Sequence, residues 1–215
     1  MYTLKLKIYL MFTKADISII EKLAEQFSIE PALLLTVQLV EVGESNRGFF
    51  GDGRPIVLFE GHIMYRELKN AFGKVFADQK AEEYPSIVYK RWDKSKYKGG
   101  VKEWDRLELA SSIDESCAYM STSWGMFQIM GFNYSSCGCS CIHEFVYKMS
   151  KSWLDQFKLG LHFMYNTGCL KLLKAHDWEG FARKYNGPGF KANAYDQKLK
   201  NAYENFSRKY NQEKK

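Results

Sequence analysis

The chain has 215 residues, 46% hydrophobic and 26% charged, a balance that excludes intrinsic disorder and lets one domain bury about two-thirds of its unfolded surface without disulfide or metal staples. Its net charge of +6 suits a polyanionic partner. The basic residues are interspersed with acids and no nucleic-acid reading module is recognisable, so nucleic acid is not expected among the partners.

The opening run MYTLKLKIYLMF is interrupted by Lys5 and Lys7 and lacks a small-residue cleavage site, which argues against a signal peptide or a stable membrane insertion. Patterned sequence starts just after Met11, so residues 1–13 are expected to be an extension and 14–215 a single domain. Residues 14–26 carry Ile19 and Leu23 at helical spacing, with Asp16 near the start. Ser28 is expected to cap a second helix, whose first turn holds Pro31 where a missing N–H costs nothing. That helix, PALLLTVQLVEV, is apolar nearly all round and should be the central buried helix of a mainly helical fold. Gly43 stops it and leaves Glu41 in its last apolar turn.

Beyond the turn GDGRP, the run IVLFE (56–60) predicts a strand of a small sheet or an extended arm. GHIMYRELKNAF resumes helical spacing, residues 70–100 read as loops, and 102–115 predict one helix. STSWGMFQIMGFNY is apolar and Gly-punctuated, which suggests a buried short helix and turn with Trp124 in the core. Two helices follow in IHEFVYKMS and SWLDQFKLGLHFMYN, the second opened by Ser152 and Asp155 at capping spacing. DWEGFARKY, closed by the turn NGPG, and NAYDQKLKNAYENF complete the helices.

Three of the five cysteines fall in CGCSC, and with no export signal all are expected as thiols. A metal site from Cys137, Cys139, Cys141 and His143 is the alternative, but structural zinc usually wants two or more residues between paired ligands. Neither metal nor cofactor is expected. His143, His162 and His176 have no triad or metal spacing.

Glu41 is the candidate for chemistry, the plain alternative being a carboxylate that escapes to solvent or pairs with a lysine. Burial beside apolar residues disfavours an ionised carboxylate, and the partial negative charge of a helix C-terminus acts in the same direction. Both raise the pKa towards the range a general acid needs near neutral pH. Glu44, in the polar loop beyond the helix, is the rival.

The segments VEVGESNRGFFGDGRPIVLFEGHIMYREL, STSWGMFQIMGFNY and FARKYNGPGFKANAYDQKLKNAY resemble the N-acetylmuramidase family of phage and prophage endolysins, within the lysozyme-like superfamily. The likeness runs from about Lys14 to about Tyr203. It implies an α+β lysozyme-like fold: a helical bundle around the central helix, with the small sheet or arm beside a cleft. Glu41 corresponds to the family's catalytic acid, Glu60 to the Glu of its Leu-Phe-Glu-Arg-His motif and His62 to that motif's His. Two positions depart from the pattern: Val42 stands for the usual Ser, and Gly61 for the usual Arg.

The resemblance implies cleavage of the β-1,4 bond between N-acetylmuramic acid and N-acetylglucosamine, by a monomer acting on peptidoglycan strands and held in the host cytoplasm until released to the wall. An inverting hydrolase needs a base carboxylate roughly 6.5 to 9.5 Å from the acid. Glu60 and Asp52 are candidates, although Glu60 also reads as a structural carboxylate paired with Arg54 or Arg66. By analogy Ser123, Gln128, Tyr185 and Asn186 line the cleft as substrate-binding residues. The alternatives are a lytic transglycosylase, which leaves 1,6-anhydro ends, and a non-catalytic glycan-binding module.

Overall fold

The structure is a computed structural model that describes residues 13–42 and 48–213. In chain order the elements are α1 (Lys14–Gln26), α2 (Pro31–Val42), β1 (Val57–Phe59), α3 (Gly61–Phe72), α4 (Lys74–Glu83), α5 (Lys102–Ser111), α6 (Glu115–Met120), β2 (Thr122–Trp124) and β3 (Ile129–Met130). These are followed by α7 (Ile142–Lys151), α8 (Trp153–Asn166), α9 (Cys169–Lys174), α10 (Trp178–Asn186) and α11 (Tyr195–Glu213). The chain divides into two compact units, residues 1–46 with 164–215, and residues 47–163. The proposed extension, apart from Thr13, and the Gly43 break lie outside the described residues.

In the described part of the first unit, α1 is closed at its start by a reciprocal cap: Thr13 accepts from the Asp16 amide at 3.1 Å and Asp16 accepts from the Thr13 amide at 2.8 Å. α2 begins at Pro31 with Glu30, not Ser28, immediately before it, and Ser28 takes a left-handed φ of 49° at the turn out of α1. The apolar pattern of α2 is a burial pattern: Ala32, Leu33, Leu34, Leu35 and Val37 are all buried. Its Thr36 is tolerated there because the hydroxyl donates to the Ala32 carbonyl at 2.7 Å. α2 packs against α1 and, most extensively, against α11.

The second unit holds a three-stranded antiparallel sheet in the order β1-β2-β3. Val57 lies opposite Trp124, Leu58 opposite Ser123 and Phe59 opposite Thr122, while Ser123 faces Met130 and Trp124 faces Ile129. IVLFE is therefore a strand. STSWGMFQIM is not the expected helix and turn but a hairpin, whose connection uses left-handed backbone at Gly125 (φ 67°) and Gln128 (φ 46°). A short apolar run reads alike as strand or buried helix, and pairing with β1 decides it. Trp124 is fully buried, donates from Nε1 to the Tyr119 carbonyl at 3.1 Å and meets Trp104 and Tyr119 edge-on.

Three more expectations are corrected. Residues 70–100 contain α4, whose single buried residue Ala77 gives it no apolar stripe to detect. Lys74 and Lys80 instead pair along its surface with Asp78 and Glu83. The helix expected over 102–115 is two helices, because Asp114 accepts the Cys117 amide at 2.7 Å and starts α6. The short α9 follows Gly168 (φ 77°) in a stretch not read as helix. The expected cap of α8 is present: Ser152 accepts from the Asp155 amide at 3.1 Å.

A buried ion pair ties this unit together. Glu103 and Arg106 meet at 2.6 Å, and Arg106 donates to the Phe59 carbonyl at 2.8 Å. Glu103 also accepts the amides of Phe59, Lys98 and Gly99 at 3.3, 2.6 and 2.9 Å. The pair thus fastens β1 to the loop before α5. Among the described residues no helix is long and apolar enough to cross a membrane.

Candidate functional site

Glu41 sits in the last turn of α2, partly buried, and lines a pocket of about 410 Å³ with Val40, Asn186, Gly189, Phe190, Tyr195 and Lys198. The Tyr195 hydroxyl donates a hydrogen bond to Glu41 Oε1. Burial raises the carboxyl pKa from 4.5 to about 7, against the opposing pull of the Tyr195 bond, which favours the anion. Burial, and then the Glu41 charge, push the Tyr195 phenol far above its ordinary value, so it remains a donor. A carboxyl in this state can give up a proton to a weakly basic oxygen near neutral pH.

Tyr195 opens α11 and is held by a stack of rings. Phe181 lies parallel to Tyr185 at 5.3 Å, and Tyr185 parallel to Tyr195 at 6.3 Å. Tyr185 thus supports the ring that touches Glu41, whereas Asn186 itself lines the pocket. Glu44 lies outside the described residues. Sequence reading passed over Tyr195; the signal was a hydroxyl at the head of the apolar face that continues through the buried Leu199.

In the second unit, Glu60 immediately precedes α3 and accepts the Tyr97 hydroxyl at 2.6 Å. His62 Nδ1 is buried 3.3 Å from Glu60 Oε2, and its ring stacks on Tyr89. Neither expected arginine reaches Glu60: Arg54 pairs with Asp52 at 2.9 Å and Arg66 with Glu67 at 2.5 Å. The buried, arginine-paired carboxylates of this unit are Glu67 and Glu103, leaving Glu60 with one uncharged donor, Tyr97, and a histidine. Asp52 is exposed, and its hydrogen bonds to Arg54 hold its carboxyl below the ordinary range, which weakens it as a base.

Gly61, where the family pattern has Arg, is dictated by its surroundings. A Cβ there would meet Tyr89 Cε1 at 2.2 Å and the Ile87 carbonyl at 2.3 Å. Ser123 and Gln128 are brought together by the hairpin, with Ser123 Oγ donating to Gln128 Oε1 at 3.0 Å. The Gln128 amide nitrogen in turn donates to the Gly125 carbonyl at 2.8 Å. Beneath them lies Gln156, another residue missed in the sequence. It is fully buried, accepts the Met126 amide at 2.8 Å and donates to the carbonyls of Met149 and Gly48 at 2.8 and 3.3 Å. Its cue was an amide on the apolar face of α8.

The cysteines are free thiols, with Cys137 and Cys139 buried and Cys141 exposed. Burial pushes the first two up to about 12 and about 11, so they are weak nucleophiles. Cys141 precedes α7 and accepts the Glu144 amide at 3.4 Å. Among the described residues no three His, Cys, Asp or Glu side chains are grouped to hold a metal ion.

The sequence model of the N-acetylmuramidase family matches residues 30–207. Among solved structures, the crystal structure of a Burkholderia AP3 phage endolysin matches with a TM-score of 0.81 at 35% identity, over 90% of this chain and 71% of that one. No curated protein matches.

Proposed function

The chain belongs to the N-acetylmuramidase family of glycoside hydrolases, and from that premise we propose that it hydrolyses the β-1,4 bond between N-acetylmuramic acid and N-acetylglucosamine in peptidoglycan. Glu41 is the general acid. The observation that carries this role is a carboxyl raised to about 7 by burial in a pocket, with a phenol donor to receive its conjugate base. As the glycosidic bond breaks, Glu41 protonates the leaving oxygen while the sugar takes on oxocarbenium character. Tyr195 then stabilises the carboxylate left behind.

Glu60 is the proposed second carboxylate, supported by its incomplete burial and its arginine-free partners. Asn186 faces sugar at the Glu41 pocket, Tyr185 acts through Tyr195, and Ser123 and Gln128 offer hydroxyl and amide groups to acetamido sugars. Residues 14–215 act as one catalytic domain, supported by a family match that runs through both compact units. The phage endolysin among its structural relatives supports a role in lysis from within. The protein would wait in the host cytoplasm for access to the wall.

The test is mass spectrometry of muropeptides released from purified sacculi by wild type and by Glu41→Gln. Reducing muramic ends that vanish in the variant are expected. Anhydro-muramic ends would move the chain to the transglycosylases, and no release by wild type would leave only a binding module.

A further inference from the structure

Trp92 is 60% exposed yet firmly held. Its Nε1–H donates to the Tyr97 hydroxyl at 2.7 Å, and that hydroxyl donates to Glu60 at 2.6 Å. The Tyr97 ring lies edge-on to Trp92 and has the Arg106 guanidinium over its face at 5.7 Å. The backbone on both sides of Tyr97 is pinned as well. Asp93 accepts the Ser95 amide and hydroxyl at 3.0 and 2.7 Å, and the amides of Lys98 and Gly99 close on Glu103. A chain of contacts therefore runs outward from the buried Glu103–Arg106 pair to an indole in solvent.

An exposed tryptophan that only covered surface would need no such anchoring. Its one polar group is already used by Tyr97, so what it offers is a flat apolar face, set two hydrogen bonds from a carboxylate. A pyranose ring matches that surface: its C–H face stacks on an aromatic plane while its hydroxyl and acetamido N–H groups reach an acceptor at the edge. We propose that Trp92 is a stacking platform for an N-acetylhexosamine unit of the glycan, and that Tyr97 is the positioning residue that registers this platform on Glu60. The proposal rests on the glycan-cleaving function above.

The test is calorimetric titration of the Glu41→Gln protein with tetra-N-acetylchitotetraose, a ligand without lactyl or peptide groups. Covering one indole face makes Trp92→Ala, added to that protein, bind about tenfold more weakly or worse, with Trp92→Phe within about threefold of the parent. Melting temperatures should not change. On sacculi with Glu41 intact, Trp92→Ala should raise apparent KM with kcat within about threefold, whereas Tyr97→Phe should lower kcat more than it raises KM. Unchanged affinity in Trp92→Ala, or no binding by the parent, overturns the platform. An equal effect of Tyr97→Phe on kcat and stability overturns the positioning role. Digestion of sacculi by wild type, run alongside, reports on the glycan-cleaving reading separately.

Discussion

The hydroxyl of Tyr195 meets the carboxylate of Glu41 across 154 positions of sequence. The contact opposes the burial that raises the Glu41 pKa, so burial first and this contact second determine where the carboxyl titrates. Removing the hydroxyl in Tyr195→Phe deletes the lowering contribution and moves the Glu41 pKa further up. Activity that needs a protonated Glu41 falls as pH rises through about 7, and this alkaline limb of the kcat/KM profile should shift upward in the variant. An unmoved limb would detach Tyr195 from the acid.

Glu41→Gln should lower turnover of sacculi by about 10²-fold or more while the circular dichroism spectrum is unchanged. The amide keeps the shape and cannot supply the proton. A folded variant with near-normal turnover would remove Glu41 from the chemistry.

The same side chain predicts a pH dependence of stability. Its folded pKa of about 7 lies above the unfolded 4.5, so between these values the folded chain holds more of this proton. The associated stability is complete below about pH 4.5 and is lost as pH rises through 7, by at most about 3 kcal/mol. Glu41→Gln cannot ionise, so its stability relative to wild type should improve from pH 4.5 to pH 8 in denaturant titrations. A constant difference would mean that Glu41 is not desolvated.

Two carboxylates of the second unit should respond in opposite ways. Glu103→Gln leaves Arg106 buried without its anion and should cost about 3 kcal/mol or more in chemical denaturation. Glu60→Gln removes a partly exposed carboxylate and should reduce turnover with a change in melting temperature of only about 2 °C or less. Loss of stability and turnover together in Glu60→Gln would make it structural.

Restoring the family's arginine at position 61 should harm the protein. Even Gly61→Ala places a Cβ against the Tyr89 ring and the Ile87 carbonyl, at an expected cost of about 1–3 kcal/mol, and Gly61→Arg should cost more. Thermal melts of both variants check this. A Gly61→Arg protein as stable as wild type would show that the 87–89 backbone yields.

The helical class and the place of Glu41 were legible in the sequence because they are local. PALLLTVQLVEV can bury its sides only as a core helix, and the pattern shows a carboxylate in its last turn. Asp16 and Ser152 likewise announce helix starts through bonds that reach three residues along the chain. By contrast α4 is a surface helix with one buried residue, and its Lys–Asp and Lys–Glu pairs leave no apolar period to read.

What only the tertiary structure decided is which distant groups meet. STSWGMFQIM becomes a hairpin because β1, more than 60 residues earlier, supplies its missing hydrogen bonds. Glu60 takes Tyr97 and His62 as partners because Arg54 and Arg66 have nearer carboxylates, and the structural ion pair falls to Glu103 and Arg106. Tyr195 reaches Glu41 because α11 packs on α2. Periodicity and caps report forces that act within a few residues, whereas the partner of a buried polar group is whichever one the folded chain leaves within hydrogen-bond reach.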